Sequence, residues 1–284
     1  MKISFTLCTK NGGERLGICL DHIEAMEADA DLELFLVDNG STDGTSYQRL
    51  LRFAERTRFR CQVLQTLVPG NSAGRNVAVE RASGDIHIFI DDDCYVAPDF
   101  LREWTRIFTD RPDLGFASGM VTRYDLRYSD LGCVEHPHER RIEPYGFVPR
   151  GFIQGSNMAF RRQCLADAGR FDIRLGAGTP FAGEEWDMCL RASRKGWAGG
   201  YFPQPRVAHD HRRVESESHA RMLYYDFGGG LVYAKNSFVK SWVRTLHEFG
   251  HEMKKLWRAN EKERFFTFAR GYLRYFFIWW PVRR

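Results

Sequence analysis

Apolar residues along the first third of this chain fall alternately into short continuous runs and into stripes spaced three or four apart. Residues 3–8, 32–37 and 61–66 read as strands, and 86–91 as a buried one. Between them, Leu16, Leu20, Ile23 and Met26 mark a helix over 14–27, Tyr47, Leu50, Leu51 and Phe53 mark a second, and 72–82 forms a third. Strands alternating with helices at these intervals predict a largely parallel sheet. Farther on, a helix is expected from Pro98 to about Phe108, strands at 114–122 and 155–160, a helix through Met188, Leu190 and Arg191, and a short strand from Arg206 toward His211. Residues 123–150 are polar and lack a period, which predicts a long loop. The last quarter reads as helical. One helix over 217–236 is interrupted by Gly228-Gly229-Gly230, which predicts a kink or a close contact, and a final helix starts at Glu261.

One of the strand runs ends unusually. Ile86, Ile88, Phe89 and Ile90 lead straight into Asp91, Asp92 and Asp93, and three adjacent carboxylates at a strand end call for a cation. On an extended chain Asp91 and Asp93 share one face. Hard divalent ions such as Mg²⁺ and Mn²⁺ take oxygen ligands and often bridge carboxylates to substrate phosphates. Ligands of open α/β sheets also gather at the carboxyl ends of strands. Asp38, which ends the second strand run, begins the turn Asp38-Asn39-Gly40-Ser41-Thr42-Asp43-Gly44 and is placed to accept from a base N–H or a ribose hydroxyl; capping the turn is the plain alternative. Thr9 follows the first strand toward the same pocket. Arg75 and Asn76 follow the Gly70–Gly74 loop at a helix start, where a guanidinium and backbone amides suit phosphate or ribose. No Lys-Ser or Lys-Thr follows those glycines, so the loop is not a nucleotide P-loop. The first turn also lacks the G-x-G-x-x-G pattern of dinucleotide-binding folds. Glu184, Glu185, Trp186 and Asp187 follow a glycine-rich loop over 176–181. The acidic residues there also suit a helix N-terminus, and the tryptophan suits either a sugar face or simple packing.

Composition is that of a globular protein, with 43% hydrophobic and 27% charged residues. The seven cysteines are scattered and odd in number, which fits reduced thiols in the cytoplasm better than a disulfide framework. No apolar run is long enough to span a membrane. The net charge of +4 is uneven, because 15 Lys and Arg face only 7 Asp and Glu from Arg212 onward. Basicity therefore belongs to the tail. There Phe265, Phe266, Phe268, Tyr272, Tyr275, Phe276, Phe277, Trp279 and Trp280 interleave with Arg264, Arg270, Arg274, Arg283 and Arg284. That mixture suits peripheral contact of 261–284 with the inner face of the cell membrane, packing on the domain, or a homodimer contact. No nucleic-acid partner is expected.

The segments LFLVDNGSTDGT, GNSAGRNVAVERASGDIHIFIDDDC, GSNMAFRR and FDIRLGAGTPFAGEEWDMCLR occur in the order in which family 2 glycosyltransferases carry their signatures. The chain resembles that family from Ile3 to about His209. The resemblance implies the GT-A fold, a Rossmann-like α/β sheet, as a catalytic domain over 1–211, with 212–284 a helical extension. It implies an inverting transfer of a sugar from a nucleoside diphosphate donor to a saccharide or lipid-linked acceptor, assisted by Mn²⁺ or Mg²⁺, in bacterial-type polysaccharide, glycolipid or glycoconjugate synthesis. Carried over by position, Asp91 and Asp93 of the DXD motif, with His209, would hold the metal, and His211 stands in reserve. Thr9, Asp38, Arg75, Asn76, Asp91, Asp92, Asn157 and Trp186 would contact the donor or line its pocket. Glu185 would be the catalytic base and Glu184 would position the acceptor. The family usually has Glu-Asp where this chain has Glu184-Glu185, so the base carries an extra methylene.

Two other readings compete. A nucleotidyltransferase making nucleotide sugars would show a glycine-rich, basic phosphate loop after the first strand, which Thr9-Lys10-Asn11-Gly12-Gly13 only half resembles. A non-catalytic, metal-dependent carbohydrate-binding module would explain the acidic triplet but not Glu184-Glu185.

Overall fold

The computed structural model describes residues 1–27, 31–239 and 242–278. Its strands are β1 (Lys2–Thr9), β2 (Asp31–Asp38), β3 (Arg60–Gln65), β4 (Ile86–Asp91), β5 (Cys94–Val96), β6 (Leu114–Arg123), β7 (Arg140–Ile142), β8 (Asn157–Arg161) and β9 (Ala198–His209). The helices are α1 (Gly13–Glu24), α2 (Ser46–Arg56), α3 (Asn71–Val79), α4 (Phe100–Asp110), α5 (Arg162–Ala168), α6 (Glu184–Arg194), α7 (Glu215–Ser237), α8 (Trp242–Arg258) and α9 (Lys262–Ile278). The strands form one mixed sheet in the order β3-β2-β1-β4-β8-β6-β9-β5, with β7 on the other edge of β9's first half. β1 to β4 are mutually parallel, and β8 enters antiparallel between β4 and β6. Parallel strands bring Thr9 level with Asp38 and Cys8 level with Asp91, so the ends of three strands open on one side.

The acidic triplet is not extended. β4 stops at Asp91, the chain turns through Asp92 and Asp93, and β5 then pairs antiparallel with β9, setting Cys94 opposite His209. This turn corrects the alternation argument for the triplet. β9 is also longer than the expected short strand. Its first half, AGGYFPQ, has the glycines and proline that read as a break, yet a Cβ on Gly199 would stand 2.2 Å from the Phe116 ring. Those glycines make room for aromatic rings inside a continuous strand.

The two faces of the sheet bury different partners. Ile3, Phe5, Leu7, Ile88 and Ile90 pack with Leu16, Leu20, Ile23, Phe100 and Trp104 of α1 and α4. Opposite them, Phe89, Phe116, Met158 and Phe160 share a core with Trp186 and with Leu231, Val232, Tyr233, Leu256, Phe268 and Tyr275 of the tail helices. At roughly 1.5–3 kcal/mol for each large apolar side chain fully buried, the tail is joined to the domain by its own core. The three glycines of α7 supply close contact within an unbroken helix. A Cβ on Gly230 would lie 2.0 Å from the Phe268 carbonyl, and one on Gly271 the same distance from that of Phe227.

Candidate active site

A cleft of about 260 Å³ opens at the strand ends, and its lining includes Asn71, Arg75, Asp91, Glu184, Glu185 and His209. Arg75 is the joint of its floor. The side chain is 1% exposed; it donates to Glu184 Oε1 at 2.8 Å, Asp91 Oδ1 at 3.2 Å and the Gly155 carbonyl at 3.1 Å. Asn71 Nδ2 adds a bond to the same Asp91 oxygen at 3.0 Å. Arg75 was expected on the donor; the structure engages it with two carboxylates, fixing the strand end against the start of α6.

Asp93 faces the other way. Its carboxylate meets Arg15 Nη1 at 3.1 Å and His209 Nε2 at 3.3 Å. Burial disfavours the charge on Asp93, but His209 and Arg15 outweigh it and hold the carboxyl well below its usual range. His209 is likewise penalised by burial, yet Asp93 raises its proton affinity. Asp92 accepts from the Thr9 hydroxyl, while burial and the neighbouring Asp93 charge push it up to about 7.

Among the described residues, Asp93, Cys94 and His209 form a cluster with metal-ligand spacing. Cys94 Sγ lies 3.7 Å from Asp93 Oδ1 within it. The 3.3 Å between Asp93 Oδ1 and His209 Nε2 is close to the separation of about 3 Å expected for two cis ligands at about 2.1 Å from one ion. The donor set therefore fits a divalent cation. Asp91 is not in that cluster, contrary to expectation, because the turn aims its carboxylate at Arg75 and Asn71; it still lines the same cleft. His211 is no ligand either, since Ser129 O and Arg213 N engage its two ring nitrogens.

At the far wall Glu185 follows the buried Glu184 at the start of α6. Burial, and after it the charge of Glu184, raises the Glu185 carboxyl well above its ordinary range. Asp187 is fully buried and bonded to Arg191, Lys235 and Asn236, which ties α6 to α7.

Three residues expected to contact the donor or line its pocket are engaged by the protein itself. Asn76 grips the backbone of Phe171 through both amide atoms. Asn157 is fully buried and donates to the carbonyls of Met120 and Pro205, clamping the irregular β6–β9 pairing. Trp186 is 2% exposed, donates to the Val148 carbonyl and packs edge-on against Tyr233, while still contributing to the lining of the cleft. Thr9 and Asp38 do stand side by side at the strand ends. Asp38 accepts from the Ser41 amide, as a turn cap does, and from Gln65. His136 and His138, in the loop, and Arg140, which opens β7, are exposed and do not line the cleft.

The sequence matches the profile of glycosyl transferase family 2 over residues 4–169, and that of glycosyl transferase family group 2 over 87–282. The chain belongs to glycosyltransferase family 2. This glycosyltransferase is 31% identical over 205 residues to an N-acetylglucosaminyltransferase of Rhizobium sp. (strain N33), covering 69% of this chain and 45% of that one. It is 27% identical over 168 residues to a pre-mycofactocin glycosyltransferase of Mycobacterium tuberculosis, covering 55% of this chain and 33% of that one. It thus spans less than half the length of these relatives. Among solved structures, the mannosyltransferase PcManGT from Pyrobaculum calidifontis, in complex with GDP-Man and Mn²⁺, superposes with a TM-score of 0.67 at 21% identity, over 95% of this chain and 73% of that one. TarS residues 1–349 from S. aureus, in complex with UDP-GlcNAc, gives 0.63 at 16% identity, over 86% and 69%. The fold of this glycosyltransferase is therefore GT-A.

Several cleft residues of the glycosyltransferase escaped the sequence reading. Asn71 looked like a loop residue. Arg150, Arg221, Tyr224 and Tyr225 lie outside the resembling motifs or in the tail. The one signal available was Arg221 spaced three and four residues before the two tyrosines, which puts all three on one helix face.

Proposed function

We propose that this enzyme is an inverting, divalent-metal-dependent glycosyltransferase that moves a sugar from a nucleoside diphosphate to an acceptor hydroxyl, with Glu185 as base. The carrying observation is that Glu185, its proton affinity raised, lines one cleft with His209, whose Nε2 lies 3.3 Å from Asp93 Oδ1. Asp93 and His209 would hold Mn²⁺ or Mg²⁺, whose chemistry is to neutralise the departing diphosphate. Thr9 and Asp38 are placed for the nucleoside, and Asp91, locked by Arg75, for the donor sugar. Glu185 accepts the acceptor's hydroxyl proton as that oxygen bonds to the sugar's anomeric carbon and the bond to diphosphate breaks. Glu184, fixed by Arg75, keeps the second carboxylate still. The test is Glu185→Gln, which keeps size and removes basicity: turnover should fall at least about 10²-fold with donor affinity nearly unchanged. Normal transfer by Glu185→Gln alongside a dead Glu184→Gln would move the base by one residue.

The catalytic unit in this reading is 1–211, with 212–284 packed onto it. The acceptor is a saccharide or lipid-linked species of polysaccharide, glycolipid or glycoconjugate synthesis, met at the cytoplasmic face of a membrane. Support comes from free cysteines and from one face of α9, where Phe266, Leu273 and Phe277 are exposed beside Arg270 and Arg274. Trp279, Trp280, Arg283 and Arg284 lie outside the described residues. No described helix is long and apolar enough to cross a membrane.

A further inference from the structure

The wall of the cleft beside Glu185 is made by α7. Gly228 packs so closely on the segment before α6 that a Cβ there would lie 2.4 Å from the Ala182 carbonyl. The Tyr224 hydroxyl donates to the carbonyls of Gly176 and Thr179. These contacts set the first half of α7 along the loop that leads into Glu184 and Glu185, and Arg221 lines the cleft from it.

Arg221 is held but not neutralised. Its guanidinium lies over the rings of Tyr224 and Tyr225, at 4.7 and 4.9 Å, and its Nε is buried without a hydrogen-bond partner. It forms no salt bridge among the described residues; the nearby Glu184 is claimed by Arg75. Arg150 lines the same cleft. Its Nη2 bonds to Asp226 at 2.7 Å, but Nη1 is buried without a partner. Asp226 is shared with Arg264, at 2.6 Å, so one carboxylate serves two guanidinium groups. Positive charge is therefore left over on this wall. A buried N–H without an acceptor costs about 1–3 kcal/mol. Both arginines also line the cleft, where the remaining N–H donors of two incompletely paired guanidinium groups suit an anion.

We propose that Arg221 and Arg150 form a subsite for a phosphate group carried by the acceptor, so that the hydroxyl presented to Glu185 belongs to a phosphorylated saccharide or a lipid-phosphate-linked one. This rests on the transferase reading and on Glu185 as base. Guanidinium groups pair with phosphate oxygens through two N–H donors at once. The contacts of both arginines run to α7, α9 and the tyrosines, and none reaches Asp93 or His209. The subsite is therefore an acceptor site, distinct from the donor's diphosphate.

Inorganic phosphate is the probe. The full chain is first saturated with Mn²⁺ and with whichever of UDP, GDP or dTDP it binds best, which fills the donor site, and phosphate is then titrated calorimetrically. Phosphate should bind this complex, and Arg221→Gln should weaken it at least 10-fold while changing nucleotide affinity less than two-fold. Arg221→Lys should retain part of the binding. If phosphate does not bind, or binds Arg221→Gln as well as wild type, the subsite is wrong. If Arg221→Gln weakens nucleotide and phosphate equally, the arginines serve the donor diphosphate and the proposal falls. If wild type binds no nucleoside diphosphate at all, the transferase reading fails first and takes the subsite with it. Stronger displacement of phosphate by glucose 1-phosphate would indicate a free phosphosugar acceptor; stronger displacement by dodecyl phosphate would indicate a lipid-linked one.

Discussion

The Arg75 guanidinium meets the Glu184 carboxylate at 2.8 Å with both side chains buried, and the same guanidinium reaches Asp91 at 3.2 Å. One cation thereby sets the spacing between the strand that ends in the acidic turn and the helix that begins with the proposed base. Pairs of this kind are weak stabilisers when intact, but removing one partner leaves a buried charge and costs about 3–5 kcal/mol.

Arg75→Met should therefore lower stability by several kcal/mol, on the order of that cost. Arg75→Lys is the sharper test of positioning. A lysine keeps the charge but loses the planar fork that spans two carboxylates. It should fold, bind nucleotide nearly as wild type, and transfer sugar at least about 10-fold more slowly. An Arg75→Lys enzyme with unchanged turnover would reduce Arg75 to a packing residue.

The metal assignment is tested at Asp93. Asp93→Ala should abolish transfer and most metal-dependent donor binding, because the diphosphate would then face Asp91 and Asp92 with no cation between. His209→Asn should weaken Mn²⁺ binding while sparing the fold. Transfer that persists at full rate in EDTA would exclude the cation from the reaction.

Acid stability should carry the mark of His87. Its ring is buried, hydrogen-bonded to the Thr6 hydroxyl at 2.6 Å and stacked on Phe89 at 4.2 Å. Burial holds it down to about 3, against an ordinary 6.5. The unfolded chain gains a proton as pH falls through about 6.5, whereas the folded chain does not until about 3. The contribution to stability is thus complete above 6.5 and is lost on acidification at up to about 1.4 kcal/mol per pH unit. His87→Gln should cost stability at pH 7, with the gap to wild type narrowing by about 2 kcal/mol at pH 5. Urea-unfolding curves that stay parallel across that range would remove His87 as the titrating group.

The fold was legible wherever hydrophobic pattern alone decides local structure. β1, β2 and β4 are apolar runs, α1 and α2 carry clean helical stripes, and β3, which mixes polar and apolar residues, is a half-buried edge strand. The site was half legible. Thr9 and Asp38 sit where strand ends should put them, and Asp93 meets His209. What failed depended on partners distant in sequence. Nothing near Asn76 or Asn157 announces that the side-chain N–H groups go to the backbone of Phe171 or of Met120 and Pro205. The motif around Trp186 does not announce that Tyr233, from the tail, packs against its ring. The glycines of β9 look like breaks until Phe116 occupies the space they leave.

The tail poses the last test, and its packing changes how that test must be made. Deleting 261–284 would strip Phe268 and Tyr275, both fully buried, from the core shared with α7, so loss of function would say nothing about membranes. The exposed face of α9 can be altered instead. Phe266, Leu273 and Phe277 are 56%, 59% and 75% exposed, and with Arg270 and Arg274 they follow one helical face. On anionic vesicles each arginine near the surface should contribute about 1 kcal/mol, with the aromatic rings settling at headgroup depth. Replacing the three apolar residues by Ser, and separately the two arginines by Gln, should each release the enzyme from phosphatidylglycerol vesicles while leaving thermal stability and nucleotide binding unchanged. Wild-type enzyme that ignores such vesicles but sediments as a dimer, and becomes monomeric in the triple Ser variant, would assign this face to a second copy of the chain.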